Sequence, residues 1–167
     1  MRAKLPVKGL IRAAEKPPLQ LDLRPAQGRF GAGVAAIWQV TWALPEGQSH
    51  EQRNLPHPAQ HLVIDRRSGS GLYGPTTAPF CYELRGKGAV LGFKLVPGAA
   101  TVLFNVRAGD LVDGSVPLTS AGLAAQEVGE LEALVEARAF AQAEALLLRL
   151  LAQCLEVDMH SLCALAW

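Results

Sequence analysis

The chain has 167 residues, half of them apolar, with a formal net charge of +1. That is enough for one domain with its own core, and no apolar run reaches the ~18 residues of a membrane-spanning helix. Charged residues are lean at 19%, and the near-neutral balance does not make the chain by itself a strong DNA binder.

The charge is unevenly spread. Arg2, Lys4, Lys8, Arg12, Lys16, Arg24 and Arg29 outweigh Glu15 and Asp22 at the start, while the stretch after Gly109 is acidic. No aromatic residues interleave with the basic ones as a nucleic-acid surface would need, so the basic segment reads as a solvated tail. The opening "MRAKLPVKGLIRAAEKPP" lacks a continuous apolar stretch and a small-residue cleavage site, and the expected location is cytoplasmic. Cys81, Cys154 and Cys163 are odd in number and far apart, which suits incidental thiols in a reducing compartment and neither a disulfide framework nor a zinc site.

In chain order, Pro6, Pro17, Pro18 and Pro25 punctuate the first thirty residues, which predicts an extended arm and an edge strand. "GVAAIWQVTWAL" (Gly33–Leu44) puts Trp38, Val40 and Trp42 on one parity, a strand with a strongly apolar face. "PEGQSHEQRNLPHPAQ" is rich in turn residues and reads as a loop. Short strands follow in "HLVID", "LYGP", "FCYELRG" and "KGAVLGFKLVPG", with "RRSGSG" as a tight turn after the first of them. Closely spaced strands broken by Gly and Pro predict an antiparallel barrel or sandwich, and the lack of βαβ alternation excludes a Rossmann-type sheet.

At Pro97-Gly98 the period changes. Proline cannot donate to a sheet ladder and glycine lets the backbone swing into a new direction, so a strand should end here and a short helix begin. "GAATVLFNVRAGDLVDGSVPLTS" suggests one or two short helices. Thr119 or Ser120 is a candidate N-cap for a helix carrying Leu123, Val128, Leu131, Leu134 and Val135. Phe140, Ala143, Leu147, Leu150, Leu151 and Cys154 recur at helical spacing on a second, which either packs on its own chain or serves association.

Tests for chemistry return little. His57 and His61 in "HPAQH" have HxxxH spacing, but Pro58 blocks the helix that would bring both onto one face, and no HxH occurs, so no metal site is expected. "GSG" at Gly69-Ser70-Gly71 lies between strands, where a nucleophile elbow needs a following helix, so it reads as a hairpin turn. No catalytic residue is assigned, no cofactor motif appears, and a pairing of Asp65 with Glu83 rests on parity alone. Trp38, Trp42, Tyr73, Phe80, Tyr82 and Phe93 all fall on predicted strands, either as core or as the lining of an apolar pocket at a barrel mouth.

The segments "LRPAQGRFGAGVAAIWQVTW", "NLPHPAQHLVID", "GLYGPTTAPFCYEL", "GKGAVLGFKLVPGAA", "LVDGSVPLTS" and "ARAFAQAEALLLRLL" resemble, in this order, the N-terminal regulatory domain of one branch of AraC-type transcription regulators. The resemblance spans about residues 22 to 152. It departs where His57-Pro58 follows the "LP" turn in place of an Asp, and at Ala99 in place of a second Gly.

The resemblance implies an α+β fold: a cupin-like antiparallel β-barrel, followed by a C-terminal helical segment packed on it. It divides the chain into an arm (1–22), a barrel (23–97), a helical region (98–156) and the start of a linker or DNA-binding region (157–167). It implies a module that binds an unidentified small-molecule effector and forms a homodimer through its C-terminal helices. DNA would be touched only by a helix-turn-helix domain that the residues after Leu155 are too few to form. Trp38, Trp42, His61, Tyr73, Tyr82 and Phe93 are the candidate ligand-binding residues. The competing expectations are a cupin-like isomerase or metal-dependent oxygenase, against which the missing HxH counts, and a ligand-free protein-interaction module.

Overall fold

A computed structural model describes residues 18–26 and 33–164. Most of the expected arm, and residues 165–167, lie outside these. Eight strands are described: β1 (Leu19–Pro25), β2 (Val34–Ala43), β3 (Ser49–Asn54), β4 (His61–Ile64), β5 (Gly71–Tyr73), β6 (Phe80–Arg85), β7 (Lys87–Leu95) and β8 (Ser115–Pro117). Three α-helices follow β7: α1 (Ala99–Phe104), α2 (Ala125–Glu136) and α3 (Phe140–Ala164). The strands form a six-stranded sheet in the order β1-β2-β7-β4-β5-β8 and a two-stranded ribbon of β3 with β6. Every pairing is antiparallel.

The mixed α+β class therefore stands, but the ladders do not close into a barrel among the described residues. The polar ribbon β3–β6 forms no ladder with the large sheet there and is joined to it by packing and by side-chain hydrogen bonds.

Strand parity assigns two environments to the large sheet. Ile37 of β2, Leu62 and Ile64 of β4, Leu72 of β5, and Ala89, Leu91, Phe93 and Leu95 of β7 point to one side. They merge there with Val128, Leu131 and Val135 of α2 and Ala143, Leu147, Leu150 and Leu151 of α3. This is the main core. Arg24 of β1, with the same parity as its partner Ile37, reaches Glu144 of α3 in a half-buried ion pair. The apolar stripe of α3 is thus spent inside its own chain as far as Leu151. On the other side lie Leu19, Trp38, Val40, Trp42, Val63 and Val90, and the ribbon covers part of this face with Tyr82 and Leu84.

The strand-to-helix junction lies where expected. β7 ends at Leu95, and Gly98 takes φ 85°, a left-handed conformation that favours glycine, to start α1 at Ala99. Three expectations need correction. Residues 45–60 hold strand β3, whose sequence SHEQRN has no apolar periodicity to announce it. The region 98–156 is not purely helical, because Ser115–Pro117 returns to the sheet as edge strand β8 beside β5. Helix α2 starts at Ala125, not near Thr119: Glu127 Oε2 reaches back to accept the Ala124 N–H at 2.8 Å, which satisfies one of the orphan donors of the first turn.

Candidate functional site

Strands β2, β7 and β4 are neighbours, and three of their residues meet on the side away from the helices. Trp38 on β2 is opposite Gly92 on β7, and Lys94, two residues along β7, is opposite His61 on β4. The Trp38 indole lies across Gly92 so closely that a Cβ there would fall 2.0 Å from the ring. Gly92 is therefore a window through which the indole crosses the central strand. On its far side Trp38 Nε1 donates to His61 Nδ1 at 3.2 Å, with the rings edge to face at 6.1 Å between centroids.

His57 completes the cluster from the loop before β4. Its ring stands edge-on to His61, 5.6 Å between centroids, and its Nε2 lies 3.5 Å from Lys94 Nζ. Its position is fixed through the backbone: the His57 N–H donates to Thr76 Oγ1 at 3.1 Å, and the Thr76 N–H donates to the His57 carbonyl at 3.2 Å. The next residue, Thr77, is held in turn by Asp113. That carboxylate accepts from the Thr77 N–H at 2.7 Å and from its hydroxyl at 2.6 Å, while the Asp113 N–H donates to the Pro75 carbonyl. "GPTT" and "VDG", far apart in sequence, thus form one clamp beside the cluster.

Trp38, His57, His61 and Lys94 are all half-buried. Burial holds His61 well below the ordinary histidine value of 6.5, at about 4, and the neighbouring His57 and Lys94 push the same way. His57 is lowered too, first by burial and then by Lys94. Both imidazoles are therefore neutral near pH 7. Among the described residues Lys94 has no carboxylate within ion-pair distance, and His57 Nδ1 is buried with no hydrogen-bond partner. No group of three or more metal-ligating side chains occurs among the described residues.

The six candidates from the sequence do not share one pocket. Trp38 and His61 touch. Trp42, 3% exposed, lies over Gly88 beneath the Arg67 guanidinium at 5.6 Å, its Nε1 donating to the Arg85 carbonyl at 3.2 Å. Phe93, 1% exposed, points to the opposite side into the main core, because it is one residue out of parity with Gly92 and Lys94. Tyr73 pairs with His61 across the ladder, yet its hydroxyl bonds the Gly69 carbonyl of the β4–β5 turn at 2.8 Å. Tyr82 donates to Asp65, and burial together with that bond raises its phenol to about 12.

Asp65 is a structural carboxylate. At 2% exposure it accepts from the Arg67 N–H, Ser68 Oγ and Tyr82 Oη. Ser70 Oγ accepts the Asp65 N–H and donates to Glu132 of α2, so the Gly-Ser-Gly stretch is a hairpin turn tied to a helix. Glu83, by contrast, is exposed and paired with Arg85. A cavity of about 500 Å³ lies away from the histidines, lined by Arg66, Arg67, Lys87, Glu132, Glu136 and Arg138 among others. Its Arg66 and Glu136 are paired at 2.8 Å.

Among the described residues no helix is long and apolar enough to cross a membrane. A family model described as Domain of unknown function (DUF6597) matches residues 27–117, a span that holds Trp38, His57, His61, Gly92, Lys94 and Asp113. No curated protein and no solved structure matches the chain.

Proposed function

The chain belongs to the family of that Domain of unknown function, and we propose that it is the effector-sensing domain of an AraC-type transcription regulator, a binding module without catalytic activity. In this reading the six-stranded sheet and the β3–β6 ribbon are the two walls of a cupin-like barrel. The helices support the outside of the larger wall, and the effector sits against the other face. Dimerisation runs through the C-terminal helices, and DNA is bound by a helix-turn-helix domain outside this chain.

The observation that carries the reading is the half-buried Trp38–His57–His61–Lys94 cluster, on the sheet face the helices do not cover. A polar constellation there adds nothing obvious to the core, and an indole beside a few convergent donors is how pockets orient small ligands. The ordered resemblance of the segments supports the same reading.

A thermal-shift screen against a metabolite library tests it. At least one compound raises the melting temperature of the wild-type protein, since a ligand that binds only the folded state stabilises it by mass action, and Trp38→Ala abolishes that rise. A screen in which no compound shifts the protein, or in which every shift survives Trp38→Ala, overturns the reading.

A further inference from the structure

We infer that the Trp38–His57–His61–Lys94 cluster recognises a carboxylate group on a small ligand whose apolar body lies along the Trp38 indole. The inference rests on the sensing role proposed above and names the class of effector.

The hydrogen-bond roles are forced by chemistry. An indole N–H can only donate, so His61 Nδ1, which faces Trp38 Nε1, is an acceptor and the proton of this neutral ring is on Nε2. An ammonium also can only donate, so His57 Nε2, which faces Lys94 Nζ, is an acceptor and its proton is on Nδ1. What the cluster has left to offer is therefore donors alone: the remaining Lys94 N–H groups, the buried and unpartnered His57 Nδ1–H, and His61 Nε2–H.

A set of donors carrying one positive charge is complemented by a set of acceptors carrying one negative charge. An ionised carboxylate is that group, since it only accepts and its two oxygens can take several bonds. Lys94 has no carboxylate of the described chain to neutralise it. A metal ion does not suit the same residues. The lone pair of each imidazole is already engaged, and the adjacent ammonium repels a cation. A phosphate dianion would find one cation where two charges need balancing. Next to the carboxylate position, Trp38 and its ladder partner Leu23 give a partly exposed apolar strip for the rest of the molecule.

The test uses sodium benzoate, phenylacetate and octanoate, each against its neutral amide, titrated to about 10 mM, where even millimolar binding saturates. The readouts are the ¹⁵N shifts of the His57 and His61 rings and the dissociation constant. In the free protein the ¹⁵N shifts report His61 protonated at Nε2 and His57 at Nδ1. At least one carboxylate perturbs both rings and binds roughly tenfold more tightly than its amide. Lys94→Met removes that margin and Lys94→Arg keeps most of it, as expected for a charged hydrogen bond. Opposite tautomers, amides that bind as well as the acids, indifference to Lys94→Met in a folded variant, or no ring perturbation by any of the acids overturns the inference. Should Lys94→Met not fold, the tautomers and the acid–amide margin decide. A neutral compound that binds in a Trp38-dependent way while the acids do not leaves the sensing role standing and removes only the carboxylate.

Discussion

The two faces of the six-stranded sheet are built from the same strands, one residue apart in parity, yet they are made of different material. Toward the helices β7 presents Ala89, Leu91, Phe93 and Leu95, all closed in by aliphatic side chains. Away from them it presents Gly88, Val90, Gly92 and Lys94. The first face is filled by its own side chains. The second is hollowed at its glycines and filled by indoles borrowed from β2. A face that only had to pack would not need glycines opposite tryptophans, or a lysine at its end. The contrast separates what holds the fold from what the fold presents.

The largest expected effect is on the packed face. Phe93→Ala should cost about 3–5 kcal/mol, because a fully buried ring leaves a cavity that its neighbours fill only in part. Trp38→Ala should cost clearly less despite its larger ring, since Trp38 keeps solvent on one side. Urea denaturation of both variants makes the comparison, and equal losses would mean that the two faces are one continuous core.

Gly92→Ala comes next. Its new Cβ would meet the Trp38 ring, so the indole must move, at about 1–3 kcal/mol for overpacking. The hydrogen bond to His61 should be lost, seen as a change in the His61 Nδ1 shift. A Gly92→Ala protein with wild-type stability and an intact Trp38–His61 bond would break the account of the window.

The most gradual effect is electrostatic, spread between pH 6.5 and about 4. His61 titrates near 4 in the folded protein and at its ordinary 6.5 when unfolded. Its folded value is depressed, so its contribution is fully present above about 6.5 and declines as pH falls from there toward 4, because the unfolded chain takes up the proton first. The slope is at most about 1.4 kcal/mol per pH unit. Stability curves of wild type and His61→Gln between these values should converge at the acidic end. His57, lowered as well, adds a slope of the same sign.

Much of this was legible in the sequence, for identifiable reasons. The parity of Trp38, Val40 and Trp42 reads directly as a one-faced strand, and Pro97-Gly98 marks the junction because no other pair ends a ladder and reverses φ so readily. Strand β3 was hidden because both its faces are polar: Glu51 and Glu83, opposed across the ribbon, each lean on an arginine two residues along their own strand. Strand β8 is hidden by brevity, three residues that begin after an Asp-Gly turn and end on a proline. Trp38 and His61 were found as candidates. Pro58 forbids a helix that would carry His57 and His61 on one face, yet a loop brings the two rings together just as well. Lys94 belongs to no motif, although a lone lysine between Phe93 and Leu95 in an apolar strand is a visible signal. Phe93 shares the parity of Leu91 and Leu95 and so belongs to the packed face, and an aromatic residue on a strand does not by itself tell which face is packed.

The Asp113 clamp has a mechanical consequence. From Asp113 to Thr77, through one peptide to Thr76, and on to His57, every link is a short hydrogen bond or a covalent step. Asp113 itself lies two residues past the 3-10 turn Ala108–Leu111 that comes after α1. Asp113 thus tethers the backbone of the His57 loop, by way of Thr76 and Thr77, to the turn that precedes β8.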